Sequence, residues 1–361
     1  MARTEKIDFE KVIDSVEDLT SEEKEDIKKL IKNGNSIEIL VTGKTGAGKS
    51  SLLNFILGKT IFDVGKTKDA PCTSEVHFKD SERNGIKIRA WDSPGLQDGT
   101  GDEKYIKDMQ QKCAQIDLML YCISMEEMRS DLHVHYTAIH KINKLFGKQC
   151  WKNTVFVLTF ANFRVTFLKA KGTSEAKLKD GVEERITEWR ETIQKTLTSL
   201  EVDKKIVDSI LVVPAGHPSK SHLPGYRHWI SNVWSQCLLR MKSDAQTALI
   251  KMETQDGFVK EQDADKIGKV SADERKIVFT PGVKIAMGVA LTGIAATGTG
   301  IGAAIGGAIG ALAIGIPSFG VAAGVGLGLG AAVGGAIGGS IAIGVGALIS
   351  LYRKHKMSLE D

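Results

Sequence analysis

The sequence predicts an α/β fold built on a mostly parallel sheet, followed by an all-α, glycine-rich hydrophobic hairpin. Three observations carry that prediction. Short apolar runs alternate with helical stretches through the first two thirds of the chain. One of those runs leads straight into a glycine loop, GKTGAGKSS at 43–51, with a helix behind it. From Ile285 to Tyr352 there is no charged residue and no histidine, although the whole chain is 25% charged.

The elements follow in order. Between residues 8 and 33, Phe9, Val12, Ile13, Val16, Leu19, Ile27, Leu30 and Ile31 recur at three- and four-residue steps, the period of a helix. Thr20 with Glu23 is a capping-box signature inside that stretch and marks a second helix start. SIEILVT (36–42) reads as a strand and SSLLNFIL (50–57) as the helix after the loop. EVHFKD (75–80) and IKIRAWD (86–92) alternate polar and apolar around the turn SERNG, which predicts an antiparallel hairpin. DLMLYCIS (117–124), TVFVLTF (154–160) and SILVVPAG (209–216) are continuous apolar runs, the mark of buried parallel strands. Helices are expected near 103–114, 130–146, 178–200 and 225–245. In the third, Ile186, Trp189, Ile193 and Leu197 face inward. The expected organisation is a helical segment (1–34), a nucleotide domain (35–250), a charged linker (251–281), the hydrophobic hairpin (282–353) and a polar tail (354–361).

Composition narrows the function. The net charge of +4 is small and spread out, so no nucleic-acid partner is expected. The N-terminal stretch lacks the apolar core of a signal peptide. The five cysteines are odd in number and free of metal-type spacing, which suits a reducing compartment. The soluble part therefore reads as cytosolic.

Gly43–Lys44–Thr45–Gly46–Ala47–Gly48–Lys49–Ser50 fits G-x-x-x-x-G-K-[ST] in full, with Ser51 next. Glycines let the backbone wrap a phosphate with its N–H groups, and the helix N-terminus adds positive potential. Lys49 is assigned to the β- and γ-phosphates and the Ser50 hydroxyl to Mg²⁺. In WDSPGL (91–96), Asp92 is the second metal-side group and the Gly95 N–H faces the γ-phosphate. The intervening loop DAPCTSEVHF should supply a hydroxyl to the metal. Thr73 is the choice and Ser74 the alternative, against an ordinary loop threonine. The metal set is thus Ser50, Thr73 and Asp92.

GKTGAGKSSLLN, WDSPGL, LTFAN and PAG…LPG…W together resemble the septin-related GTPases. The similarity is to the avirulence-induced and immunity-associated group (the GIMAP proteins), with the chloroplast Toc receptors as cousins, over roughly residues 35–245. The resemblance implies a Ras-like fold with a six-stranded sheet and GTP/GDP with Mg²⁺ as ligands. It also implies dimerisation through the nucleotide domain. Within it, Thr159 and Asn162 belong to the base-reading stretch, and Ala215 and Gly216 offer backbone N–H groups to the base. Two departures stand out. Where ordinary GTPases read guanine with the carboxylate of Asn-Lys-x-Asp, Asn162 has a single acceptor oxygen. Where Ras-like enzymes place a glutamine after D-x-x-G, this chain has Leu96, which predicts slow intrinsic hydrolysis.

His133, His135 and His140 lie close in sequence, but no carboxylate or cysteine partner stands out beside them, so no metal site is read there. Ile285–Ile316 and Phe319–Leu351, divided by Pro317–Ser318, each exceed the roughly 20 residues that span a bilayer. Lys284 before them and Arg353, Lys354 and Lys356 after them put both ends on the cytosolic side. Gly298, Gly302, Gly306 and Gly310 step by four, as do Gly326, Gly330, Gly334 and Gly338. Such rows are glycine-zipper faces that let helices approach closely. The expected partners are therefore a nucleotide, a lipid bilayer and a second copy of the chain. Three functions fit: a membrane-attached GTP switch or scaffold, a nucleotide-controlled effector that permeabilises or remodels a bilayer, or a lapsed binder whose tail associates with protein.

Overall fold

The structure, a computed structural model, describes residues 6–17, 19–57, 62, 76–93, 95–96, 102–113, 115–127, 132–217, 222–226, 229–252, 254–255 and 339–360. The chain divides into two compact units. One comprises 38–81 and 88–242, the other 1–37, 82–87 and 243–361.

Six strands make the sheet: β1 (Ser36–Gly43), β2 (His77–Arg83), β3 (Ile86–Asp92), β4 (Leu118–Ser124), β5 (Thr154–Thr159) and β6 (Leu211–Pro214). Their order is β2-β3-β1-β4-β5-β6. β1, β4, β5 and β6 run parallel, with Gly43 opposite Cys122, Cys122 opposite Val157 and Val157 opposite Val213. Every residue of β5 is buried, as continuous apolar runs covered on both faces require. β2 sits at the edge with nearly every residue exposed, which its charged side chains allow. The turn after it is shorter than SERNG suggests. β2 continues to Arg83, and Asn84 and Gly85 alone turn the chain, with φ of 54° and 81°. That is the two-residue hairpin chemistry of an Asn-Gly pair.

Helices in the first unit are α3 (Lys49–Leu57), α4 (Asp102–Lys112), α5 (Leu132–Phe146), α6 (Ala161–Ala170), α7 (Glu175–Ser199), α8 (Lys204–Asp208) and α9 (Trp229–Arg240). α7 buries Leu178, Val182, Ile186, Trp189, Ile193 and Leu197, so the expected inward face extends two turns further N-terminally. Helix α6 is absent from the sequence reading. Its apolar residues do not form one stripe, and Phe163 and Phe167 stay exposed, so no helical period shows. β1 is followed on one side by the β2–β3 pair and on the other by β4. The C-terminal ends of the parallel strands thus meet at a topological switch point beside Gly43, where such sheets collect ligands.

The second unit contains α1 (Phe9–Asp14), α2 (Ser21–Asn33), a helix over 243–252 (α10), and α11 (Gly339–Glu360). The capping box is formed: the Glu23 N–H donates to Thr20 Oγ1 at 3.2 Å and the Thr20 N–H to Glu23 Oε2 at 3.0 Å. α10 runs past residue 250 into the stretch expected as linker, and Met252 and Thr254 are buried. Lys251 Nζ donates to Ile31 O (2.8 Å), Gly34 O (3.0 Å) and Asn35 Oδ1 (2.8 Å), closing the C-terminal end of α2.

α11 covers the last part of the expected membrane hairpin. Residues 339–351, assigned by sequence to the second membrane-crossing helix, lie in a helix that continues through the expected polar tail to Glu360. Its Val345, Ala347, Leu348, Ile349, Leu351 and Tyr352 are buried, and it packs on α1 and α2. Tyr352 Oη donates to Asp26 Oδ2 at 3.4 Å. An apolar helical face is satisfied by protein as well as by lipid, and sequence alone does not choose between them. Among the described residues no helix is long and apolar enough to cross a membrane. The first predicted span, the Pro317–Ser318 turn and both glycine rows lie outside the described residues.

Candidate nucleotide site

The loop between β1 and α3 is shaped by its glycines. Gly43, Gly46 and Gly48 take φ of 140°, 79° and 78°, values open to glycine at little cost. Ala47 N–H donates back to Lys44 O at 3.2 Å, tightening the turn. Thr159 Oγ1 reaches over from the end of β5 to Ala47 O (2.8 Å) and Ile123 O (3.1 Å). Thr159, expected near a base, therefore holds the loop to the sheet. Ser51 continues into α3, one residue past Ser50.

Lys49 opens α3 and is 7% exposed. Its ammonium folds back on Lys44 O (3.1 Å) and Gly43 O (3.3 Å). Burial pushes its pKa below the ordinary value, and the nearby charge of Asp92 opposes that shift. A buried ammonium bonded to neutral carbonyls carries a charge that a bound anion would balance. Ser50 Oγ donates to Asp92 Oδ2 at 2.5 Å, and Asp92 is 2% exposed at the end of β3. A hydroxyl and a carboxylate side by side are the hard oxygen donors that a magnesium ion takes. Thr73, the third expected metal group, and Ser74 lie outside the described residues.

Gly95 abuts the loop directly. A Cβ at that position would fall on the backbone of Thr45, so only glycine lets the two segments touch. Leu96 is fully buried, its N–H donates to Gly43 O at 3.0 Å, and it forms a parallel bridge with Lys44. Its side chain is part of the core, not of the site.

On the base side the arrangement departs from expectation. The Ala215 N–H, expected to face a base, donates to Leu158 O at 2.8 Å and so completes the sheet. Gly216 lies against Trp229. Asn162 Oδ1 is buried and has no hydrogen-bond partner among the described residues. Such an orphan acceptor is costly unless a ligand donor meets it. Phe160, which sequence reasoning passed over, adopts a left-handed conformation (φ 58°) ahead of α6. Its ring rests on Gly48, where a Cβ would lie 3.2 Å away, and stacks on Phe163 at 5.7 Å. The signal was available: Phe160 holds the place of the lysine in Asn-Lys-x-Asp.

Strand order, glycine turn and the Lys49–Ser50–Asp92 cluster define this as a phosphate-loop domain with a Ras-like mixed sheet. Residues 37–175, from β1 to the start of α7, match the model of the AIG1 family. GTP-binding protein A of Dictyostelium discoideum is 28% identical over 159 residues, covering 41% of this chain and 33% of that protein. Translocase of chloroplast 125 of Physcomitrium patens is 33% identical over 133 residues, covering 34% and 11%. Translocase of chloroplast 34 of Pisum sativum is 32% identical over 139 residues, covering 36% and 42%. The chain spans less than half the length of these curated relatives. Among solved structures, Toc33 from Arabidopsis thaliana with Mg²⁺ and GMPPNP is similar at 21% identity, with a TM-score of 0.47. It covers 66% of this chain and 98% of that one.

Proposed function

We propose that this chain is a guanine-nucleotide-binding switch of slow intrinsic hydrolysis. The contact between Ser50 and Asp92, beside an ammonium of Lys49 laid on the loop, carries this reading. In it the loop amides of residues 43–48 and Lys49 hold the phosphates of GTP or GDP. Ser50 and Asp92, with Thr73, hold Mg²⁺, which would neutralise phosphate charge. Asn162 Oδ1 accepts one hydrogen bond from the base, Phe160 covers its face, and Gly216 is left as the backbone contact. The name of GTP-binding protein A and the AIG1 match support guanine. Burial of Leu96 leaves no glutamine to orient water at that position, which supports slow turnover.

The reading extends to a second copy and a membrane. Dimerisation through the nucleotide domain follows from the resemblance to the immunity-associated and Toc groups. Attachment to the cytosolic face of a membrane rests on the uncharged run upstream of α11. Burial of α11 in the helical unit gives the last part of that run a protein partner, which favours an anchor confined to the residues before it.

Titration with GTP and with ATP tests the core of this. Wild type is expected to bind GTP in preference to ATP, and Lys49→Ala and Ser50→Asn to lose that binding. Retention of full affinity in both variants removes the site assignment. Flotation with liposomes, with and without residues 256–338, tests the membrane arm separately.

A further inference from the structure

His135 was singled out by sequence and left without a role. The structure places it in a chain of contacts that ends on the phosphate loop. Glu127 follows β4, and its side chain is 6% exposed. One carboxylate oxygen, Oε1, accepts from Lys44 Nζ at 2.6 Å; the other, Oε2, meets His135 Nε2 at 2.9 Å. His135 Nδ1 lies 3.2 Å from Tyr121 Oη, and its ring stands edge-on to Trp189 at 5.6 Å. With Nε2–H donating to Glu127, Nδ1 accepts from the Tyr121 hydroxyl, so every polar atom of the imidazole is used.

The backbone that carries Glu127 is fixed as well. Arg185 of α7 donates from Nε to Met125 O and from Nη2 to Glu127 O, both at 2.8 Å. Trp189 Nε1 donates to Met125 O at 3.1 Å, and the Met125 N–H donates to Thr159 O at 2.9 Å. Residues 125–127 are thus pinned to α7 and to β5. From that fixed point Glu127 reaches 83 residues back in sequence to Lys44. Burial pushes the Glu127 pKa up, but the hydrogen bonds from His135 and Lys44 outweigh it, and the net shift is downward. The carboxylate stays ionised opposite the ammonium.

We infer that Glu127 is a positioning residue for the phosphate loop, holding Lys44 so that the loop keeps its nucleotide-binding shape. A loop with three glycines between 43 and 48 loses much freedom when it orders around a phosphate, and an anchor already in place removes part of that loss. The anchor also neutralises Lys44, leaving Lys49 as the loop's cation for the ligand. This inference rests on the nucleotide reading above, and its test separates the two.

The full chain is compared with Lys44→Met, Glu127→Gln, the double variant and Lys44→Arg. Release of a fluorescent guanine nucleotide is followed by stopped flow, and melting temperature is recorded for each. Glu127→Gln and Lys44→Met are each expected to speed release about tenfold or more, the size of losing a hydrogen bond between charged groups. The double variant is expected to match either single change, because both break one contact. Lys44→Arg, which keeps the cation, is expected to restore slow release. Unchanged release with only a lowered melting temperature, or effects that simply multiply in the double variant, overturns the inference. Should Glu127→Gln not fold, the part-exposed Lys44 pair carries the comparison. Should wild type bind no guanine nucleotide, the nucleotide reading fails. Amide hydrogen exchange over residues 43–48 of the nucleotide-free protein then decides: faster exchange in Lys44→Met supports the anchor, and equal exchange removes it.

Discussion

Ser50 Oγ and Asp92 Oδ2 stand 2.5 Å apart, one at the start of α3 and the other at the end of β3, joined across 42 residues. Each is the other's partner in a place where both are expected to serve a cation. In the proposed reading the Ser50 hydroxyl and the Asp92 carboxylate would hold Mg²⁺ instead of each other. Ser50→Ala removes the first of these groups. GTP affinity in this variant is expected to fall about tenfold or more in Mg²⁺ and to change little in EDTA. Parallel titrations in the two buffers check it.

Asn162 Oδ1 is buried without a hydrogen-bond partner among the described residues, and the proposed reading gives it to the base. Asn162→Asp adds a second acceptor and a charge at the same place, matching the two donors on the guanine edge. Preference for GTP over ATP is expected to rise by about tenfold, the worth of a charge-assisted hydrogen bond. Competition titrations measure the ratio.

Leu96→Gln looks like a repair of catalysis when only the sequence is read. The structure predicts otherwise, because Leu96 is fully buried and its backbone is tied to Gly43. A glutamine there buries an amide and is expected to destabilise the domain by about 1–3 kcal/mol without faster GTP hydrolysis. Denaturant unfolding and single-turnover phosphate release test both halves.

Leu348 is fully buried in the helical unit. Leu348→Ala is expected to lower stability by about 2–5 kcal/mol. A helix that only rested on the surface would show no such loss in a urea titration.

The sign of the Glu127 shift sets a pH dependence. Its folded pKa lies below the ordinary 4.5, so its contribution to stability is complete above that value. It is lost as pH falls through the folded pKa. Glu127→Gln is therefore expected to be less stable than wild type at neutral pH, with a difference that shrinks in acid. Thermal melts from neutral pH down to about 3 follow it.

The residues most legible in sequence are those whose partners are near in sequence. Gly43 to Ser50 form one unbroken pattern, and the strand before and helix after it are its own context. The Thr20–Glu23 cap is as local. Lys44 and Glu127 are not, since neither residue names the other and only the sheet order brings β4 beside β1. The same limit hid the Ala215 N–H. Its role depends on where β6 pairs, and a motif match says nothing about which amides a sheet consumes. α6 escaped because its apolar residues lack a stripe, and the protein partners of α11 did not show because hydrophobicity does not name its solvent.

The helical unit is assembled from residues 1–37, 82–87 and 243–361. All of 38–242, apart from the short 82–87 turn, lies between its first two long pieces. During synthesis the residues of the phosphate-loop unit are all available before α10 and α11 have been made. α1 and α2 must wait for α11, more than 200 residues downstream, with the faces it packs on uncovered in the meantime. Folding from N-terminus to C-terminus is thus expected to proceed from the middle of the chain outward. The exposed interval makes the first helices the natural point of chaperone contact on the nascent chain.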